Sequence, residues 1–208
     1  MGQATPVENE RNLSSEKTEA ILQGGMREFL ANGYAATSMD RVAKSSKVSK
    51  ATVYSHFQDK ESLFVALIQY LVEKKFRSVF DPVNAGKISS EPEFVLKQLA
   101  YRMLDVGADQ PLFQNFMRVI IGESGRFPQL AKAFVRNVEK TGFRLLTEYF
   151  STAPQFDFKD PEAIARIFVG SLAHFLIVQE MLHGKDIVPM ERDRLIENLV
   201  ELIVQKEK

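Results

Sequence analysis

The stretch Thr37–Leu63, TSMDRVAKSSKVSKATVYSHFQDKESL, decides how the rest of the chain is read. It holds two short helical patterns separated by a tight break. In the first, Met39, Val42 and Ala43 recur at helical spacing behind Thr37 and Ser38, either of which can cap a helix. Thr37 with Asp40 three residues on also fits a weak capping box. The second pattern starts after Ser49 and runs from Lys50 to Phe57, with Val48, Val53 and Phe57 as its inward residues. That leaves Lys50, Thr52, Tyr54, Ser55 and His56 facing out, too many polar and aromatic side chains for a helix with nothing to bind.

Two short helices joined by a tight turn describe a helix-turn-helix. Between Arg41 and Lys60 the charged residues are Arg41, Lys44, Lys47, Lys50, Asp59 and Lys60, a basic excess in a chain of zero formal charge. Such an excess suits a phosphate backbone. On charge alone, a solvated helical hairpin with ordinary surface lysines fits as well.

Length and composition bound the rest. A chain of 208 residues holds one large or two small domains with a real core. Its 45% hydrophobic and 26% charged residues are those of a soluble globular protein. With no Cys there is no disulfide, thiolate metal site or Cys nucleophile. The opening residues lack the apolar core of a signal peptide, and Pro6 stands where a myristoylation site requires Ser or Thr. The longest apolar run, Ile167 to Val178, is interrupted by Ser171 and His174 and reads as too short to cross a bilayer. A cytoplasmic protein without membrane contact is expected.

Along the chain, residues 1–13 read as a disordered tail and 14–60 as the helix-turn-helix domain. A connecting helix at 61–80 and a second helical domain at 81–208 follow. The first helix is capped at Ser14 or Ser15 and stops at Asn32-Gly33. Gly24 and Gly25 stand in its middle, each costing about 1 kcal/mol relative to Ala unless a neighbouring backbone comes close there. Asp59 caps a long helix through Phe80, and Asn84-Ala85-Gly86 is a loop. Pro92, Pro111, Pro128 and Pro161 each stand at the first turn of a helical pattern, and Pro154 and Pro189 fall in connections. No strand alternation or repeat is present, so the fold is expected to be all-α with nine helices.

Catalytic and metal chemistry find no support. The three histidines are His56, His174 and His183, and the last two fall on opposite helix faces. No Ser has a plausible base, and no glycine-rich phosphate loop is present. Neither a cofactor nor a metal is expected, and the protein is not expected to be an enzyme. In the second domain, apolar walls with a few polar groups describe a small-molecule pocket. Its candidate lining is Arg102, Met103, Phe113, Phe116, Met117, Ile120, Phe143, His174 and Phe175. The eighth helix is apolar nearly all round and must be covered on both sides. With the ninth it offers Phe168, Leu172, Leu176, Leu195, Leu199 and Leu202 as a dimer seam. Full burial inside one monomeric core is the other reading.

The helix-turn-helix stretch resembles the DNA-binding domain of TetR-type transcriptional repressors. The likeness lies in Gly33-Tyr34, Thr37-Ser38, Val42-Ala43, Val48-Ser49, the run Thr52-Val53-Tyr54-Ser55-His56-Phe57, and Lys60-Glu61-Ser62-Leu63. Two departures stand out: Ser46-Lys47 replaces the usual Ala-Gly, and Ala51 stands where many relatives carry Gly. At a turn with positive φ, Lys costs about 1 kcal/mol or more where Gly costs little. Gly24 and Gly25 also replace a usual Ala. The run Met117–Leu130, MRVIIGESGRFPQL, resembles the AefR-like, efflux-associated subgroup at Arg118, Glu123, Arg126, Phe127 and Pro128.

The resemblance implies a homodimeric repressor of near-palindromic double-stranded operator DNA, released by a small apolar or amphipathic ligand. It implies that Thr52, Tyr54, His56 and Lys60 hold phosphates while Lys50, Ala51 and Ser55 face the major groove. Thr37, Ser38 and Ser49 complete the expected DNA-binding set. A helical sensor or carrier that has lost operator binding is the alternative, kept open by Lys47 and Ala51.

Overall fold

The prolines open the helices. Pro92, Pro111, Pro128 and Pro161 are each the first residue of one, where the fixed φ suits a helix and the missing N–H is not needed. Helix α1 spans Pro6–Ala36, α2 Met39–Ser46, α3 Lys50–His56 and α4 Lys60–Leu71. Helix α5 spans Pro92–Ala108 and α6 Pro111–Glu123. Helix α7 is composite: Pro128–Phe134, a π-helical stretch Val135–Glu139, then Lys140–Thr152. Helix α8 is Pro161–Phe175 continued by a π-helical Leu176–Met181, and α9 spans Arg192–Val204. This computed structural model describes residues 6–71, 77–80, 91–108 and 111–205. Among them are nine helices, short 3-10 turns at Arg77–Phe80 and Gly184–Asp186, and no strand.

The chain divides into two compact units: residues up to Tyr70 with Asn115–Phe134, and Leu71–Gln114 with Val135 onwards. The first unit closes on a chain of aromatic rings. Phe29 stacks on Tyr34 at 5.6 Å, Phe64 meets both edge-on, and Phe116 stacks on Phe64 at 4.9 Å. Phe127 meets Tyr34 at 4.8 Å. Ile21, Val42, Val53, Leu63 and Leu67 are fully buried around this column. The 115–134 segment, expected in the second domain, packs in the first unit, where Phe116 meets Phe64 and Ile120 and Leu130 are buried.

The second unit is built on Leu96 and Leu99 of α5, Leu146 and Phe150 of α7, Phe168 and Leu172 of α8, and Ile196 and Val200 of α9. A smaller aromatic knot, Phe150, Phe156 and Phe158, closes the α7–α8 connection. Asp160 caps α8 by accepting from Ala163 N at 2.9 Å.

Three other expectations change. Helix α1 starts at Pro6, so residues 6–13 of the expected tail are helical, and 1–5 lie outside the described residues. Extending an existing helix is cheap where starting one is not, so no new cap at Ser14 or Ser15 is needed. The long helix expected through Phe80 is described as α4 to Leu71 and a 3-10 turn at Arg77–Phe80. Residues 72–76, and the loop expected at 84–86, lie outside the described residues. Finally, the helix containing Ile167–Val178 runs 21 residues, Pro161–Met181, and is long and apolar enough to cross a membrane on length and composition. Its inward row, Ala165, Phe168, Leu172 and Phe175, is buried in the second unit.

Candidate nucleic-acid interface

Each helix of the motif is started by a serine. Ser38 lies in extended geometry and its hydroxyl accepts from Arg41 N at 3.3 Å. Ser49 does the same for Thr52 N at 3.0 Å and also bonds the Thr52 hydroxyl at 2.8 Å. The turn between them is closed by Lys47 in the left-handed region, φ 57°, whose N–H donates to Lys44 O. This is the αL stop that Gly normally supplies, here made by Lys. Val53 is fully buried and Phe57 nearly so, which fixes α3 by one face only.

The opposite face is open. Lys50, Ala51, Tyr54 and Ser55 are exposed, with Tyr54 at 47%, and Thr52 and His56 stand half-buried beside them. Lys50 forms an ion pair with Asp40 at 2.6 Å, so its charge is shared with α2. His56 Nδ1 lies 2.9 Å from the Thr18 hydroxyl, which also donates to Ser14 O at 2.8 Å. A hydroxyl has one proton, so when it goes to Ser14 the imidazole donates through Nδ1. Nothing in the sequence singles out Thr18, because its partner lies 38 positions away.

Two expected contacts are turned elsewhere. Thr37 is buried, at 2% exposure, and its one hydroxyl proton is shared between Gly33 O at 2.8 Å and Glu28 O at 3.0 Å. Ser38 alone caps α2. Lys60 Nζ donates to Tyr34 O at 2.7 Å, Thr37 O at 2.9 Å and Ala35 O at 3.3 Å, and stands 4.4 Å above the Tyr34 ring. An ammonium has three protons, and all three are committed here. Burial lowers the Lys60 pKa, against the opposing pull of Glu123. Two of the carbonyls it collects, those of Tyr34 and Ala35, belong to the last turn of α1 beyond Gly33, at φ 72°, and the third, of Thr37, to the link before α2. Glu123 completes this clasp by accepting from Ala35 N at 3.3 Å.

Residues 21–67 match the family described as bacterial regulatory proteins, tetR family, and residues 94–206 match the AefR-like transcriptional repressor C-terminal domain. The second match alone covers more than half of the chain. The chain belongs to the TetR family. A TetR-family transcriptional regulator of Mesorhizobium loti has the same architecture, with a TM-score of 0.75 and 25% identity over 92% of this chain and 96% of its own. The flavonoid-responsive regulator FrrA superposes with a TM-score of 0.68 at 27% identity, over 89% and 92% of the two chains. The repressor AcnR of Corynebacterium diphtheriae is 37% identical over 62 residues, 30% of this chain and 32% of its own length. The chain spans 24% to 32% of the length of three further curated relatives, matched over 62 to 87 residues.

The expected pocket residues are divided between the two units. Phe116 and Ile120 are buried in the first unit, with Met117 half-buried on the same helix. Arg102, Met103 and Phe113 are half-buried in the second. Phe143 lines a groove with Arg166, which stands 4.9 Å over its ring, whereas Phe175 lines a different cleft. His174 is exposed on the outward row of α8. The expected dimer residues also separate. Phe168, Leu172 and Leu199 are buried in their own unit, and Leu176 and Leu195 pack against its core, whereas Leu202 is 78% exposed. The outward row of α8 is Ile167, Gly170, His174 and Ile177.

Proposed function

We propose that this TetR-family regulator is a cytoplasmic repressor that binds double-stranded operator DNA through α3 and is released by a small apolar or amphipathic ligand. The observation that carries the reading is the open face of α3, held by a single buried side chain and presenting Lys50, Ala51, Tyr54 and Ser55. Thr52, Tyr54 and His56 fix register on phosphates, and Lys50, Ala51 and Ser55 read base edges. The αL backbone at Lys47 supports the reading, since the turn keeps the geometry that two capped helices need.

The regulator works as a homodimer, so that two heads reach successive major-groove faces about 34–36 Å apart, or a multiple of this, on a near-palindromic site. Support comes from the outward apolar residues Ile167 and Ile177 of α8 and Leu202 of α9, which the chain itself leaves exposed. A ligand in the second unit releases DNA by favouring the conformation in which the heads are badly spaced. FrrA, described as flavonoid-responsive, supports a small-molecule trigger. The test is fluorescence anisotropy with DNA flanking the protein's own gene. Saturable binding that Tyr54→Ala weakens is expected; equal binding by wild type and variant overturns the assignment.

A further inference from the structure

His56 is held from outside its own motif. Its Nδ1 meets the Thr18 hydroxyl of α1 at 2.9 Å, and the same hydroxyl stands 2.8 Å from Ser14 O, one turn back. A carbonyl has no proton to give, and two bare oxygens at that distance repel, so the threonine proton lies between them. Such a return to the carbonyl four residues back is an ordinary local bond of a helical threonine. Only lone pairs of Thr18 are then left for His56. The imidazole itself supplies the proton of that contact, through Nδ1.

The holding side is firm. Glu19, next to Thr18, accepts from the Tyr70 hydroxyl at 2.9 Å and ties this turn of α1 to the end of α4. Val53 is fully buried and Phe57 nearly so, which pins the end of α3 that carries the ring. Nε2, the far nitrogen, is differently placed. Among the described residues it meets no hydrogen-bond partner, and it is not a buried atom. His56 stands on α3 beside the exposed Tyr54 and Ser55.

A phosphate oxygen accepts hydrogen bonds and gives none. A neutral imidazole with its proton on Nδ1 turns a lone pair outward at Nε2 and has nothing to offer a phosphate. Moving that proton to Nε2 would set a bare Nδ1 against the lone pairs of Thr18. The form that satisfies both neighbours carries a proton on each nitrogen, the imidazolium. We infer that Thr18 is a positioning residue for DNA binding: it commits Nδ1 of His56 to α1, so that Nε2 meets a phosphate only as a cation, and each head takes up one proton. This rests on the phosphate role proposed above for His56.

The charged groups around the ring are engaged elsewhere or open to solvent. On α1, Glu16 and Lys17 are exposed and Glu19 is bound by Tyr70. On α3, Lys50 is paired with Asp40. At the start of α4, Asp59 Oδ1 accepts from Ser62 N, Glu61 is exposed, and the Lys60 ammonium is held by three carbonyls. Among the described residues none of them forms an ion pair with His56. A phosphate is then the anion that answers its charge.

The experiment is fluorescence anisotropy of the full chain with a labelled duplex from the DNA flanking its own gene, from about pH 5 to 8, where imidazole changes charge. Affinity falls as the pH rises, by at most about tenfold per head for each pH unit. It levels off about tenfold or more lower per head, the effect of one hydrogen bond from a charged donor. His56→Gln, an uncharged donor, flattens the curve; His174 and His183, in the second unit, act on both proteins alike. Thr18→Val frees Nδ1, so the neutral ring can carry its proton on Nε2, and the curve flattens again. Thr18→Ser keeps the wild-type profile. In the free protein at the upper pH, 15N NMR of the His56 ring finds the proton on Nδ1.

Parallel curves for wild type and His56→Gln overturn the proposal, as does a wild-type ring with its proton on Nε2; neither depends on a Thr18 variant folding. A folded Thr18→Val with the wild-type profile, or with affinity lowered equally at every pH, overturns it too. If the wild type shows no saturable binding, or Tyr54→Ala binds equally well, the DNA-binding reading of α3 falls and this proposal with it. Saturable binding weakened by Tyr54→Ala, with parallel curves, removes this proposal alone.

Discussion

Gly24 of α1 faces Ser46 of α2 so closely that a Cβ on the glycine would overlap the serine hydroxyl and come within 2.9 Å of the serine N. The Ser46 hydroxyl is itself buried and donates to Val42 O at 2.7 Å. The two residues are a matched pair, the glycine making room for a side chain that turns back onto its own helix. Gly24→Ala therefore destabilises the head by about 1–3 kcal/mol, overpacking outweighing the better helix propensity of Ala. Adding Ser46→Ala to Gly24→Ala restores part of that loss. Urea denaturation of the two singles and the double checks this; strictly additive effects would show that the sites do not couple.

Lys47 closes the turn at φ 57°, a conformation that costs a side chain about 1 kcal/mol or more and costs Gly little. Lys47→Gly is expected to stabilise the head by about that amount. A lower urea midpoint in the variant contradicts it.

Tyr54 and Lys60 separate binding from stability. Tyr54 is exposed and packs on no core, so Tyr54→Ala weakens binding to all DNA sequences alike and leaves the melting temperature unchanged. Lys60→Met instead leaves the carbonyls of Tyr34, Ala35 and Thr37 without their donor and lowers stability, by about 1–3 kcal/mol. Intact stability with weakened DNA binding in Lys60→Met would return the ammonium to a phosphate.

Both contrasts mark what the sequence can carry. The prolines at 92, 111, 128 and 161 were legible because a fixed φ and a missing N–H leave few places for them. Ser38 and Ser49 were legible because a cap is a local interaction. The role of Lys60 was not, since a lysine at a helix start reads the same whether its ammonium meets phosphate or carbonyls 23 to 26 positions away. Glu123 and Phe127 stood out as a motif, yet their contacts with Ala35 and Tyr34 depend on tertiary placement. On α8, where almost every residue is apolar, periodicity has no contrast with which to rank Phe168 against Ile167.

That ranking is now a prediction. Ile167→Asp or Leu202→Asp, on exposed rows, yields a folded monomer that no longer binds the operator. Leu172→Asp, inside the second unit, puts an unpaired charge in the core and unfolds it. Light scattering and circular dichroism distinguish the two. A dimer that survives both surface substitutions excludes this face.

Burial pushes the Tyr34 and Tyr149 hydroxyls up to about 12 from the ordinary value of 10.0, with Glu61 and Asp59 adding to the effect at Tyr34. The folded state thus favours the neutral phenols. Their contribution is complete below pH 10 and is lost as the pH rises through about 12. Chemical denaturation across that window should show a steeper fall for the wild type than for Tyr34→Phe/Tyr149→Phe. Parallel curves would mean that other groups govern the alkaline limit.

The π-helical turn at Val135–Glu139 divides α7 in two. Before it the helix buries Leu130 and Ala133; after it the buried row is Gly142, Leu146, Tyr149 and Phe150. The first pair lies in the first unit and the later row in the second, and the π-helical turn begins where the chain passes from one to the other, at Val135. One continuous helix thus supplies buried side chains to two cores. A substitution in α7 is therefore answered by different neighbours on the two sides of Val135.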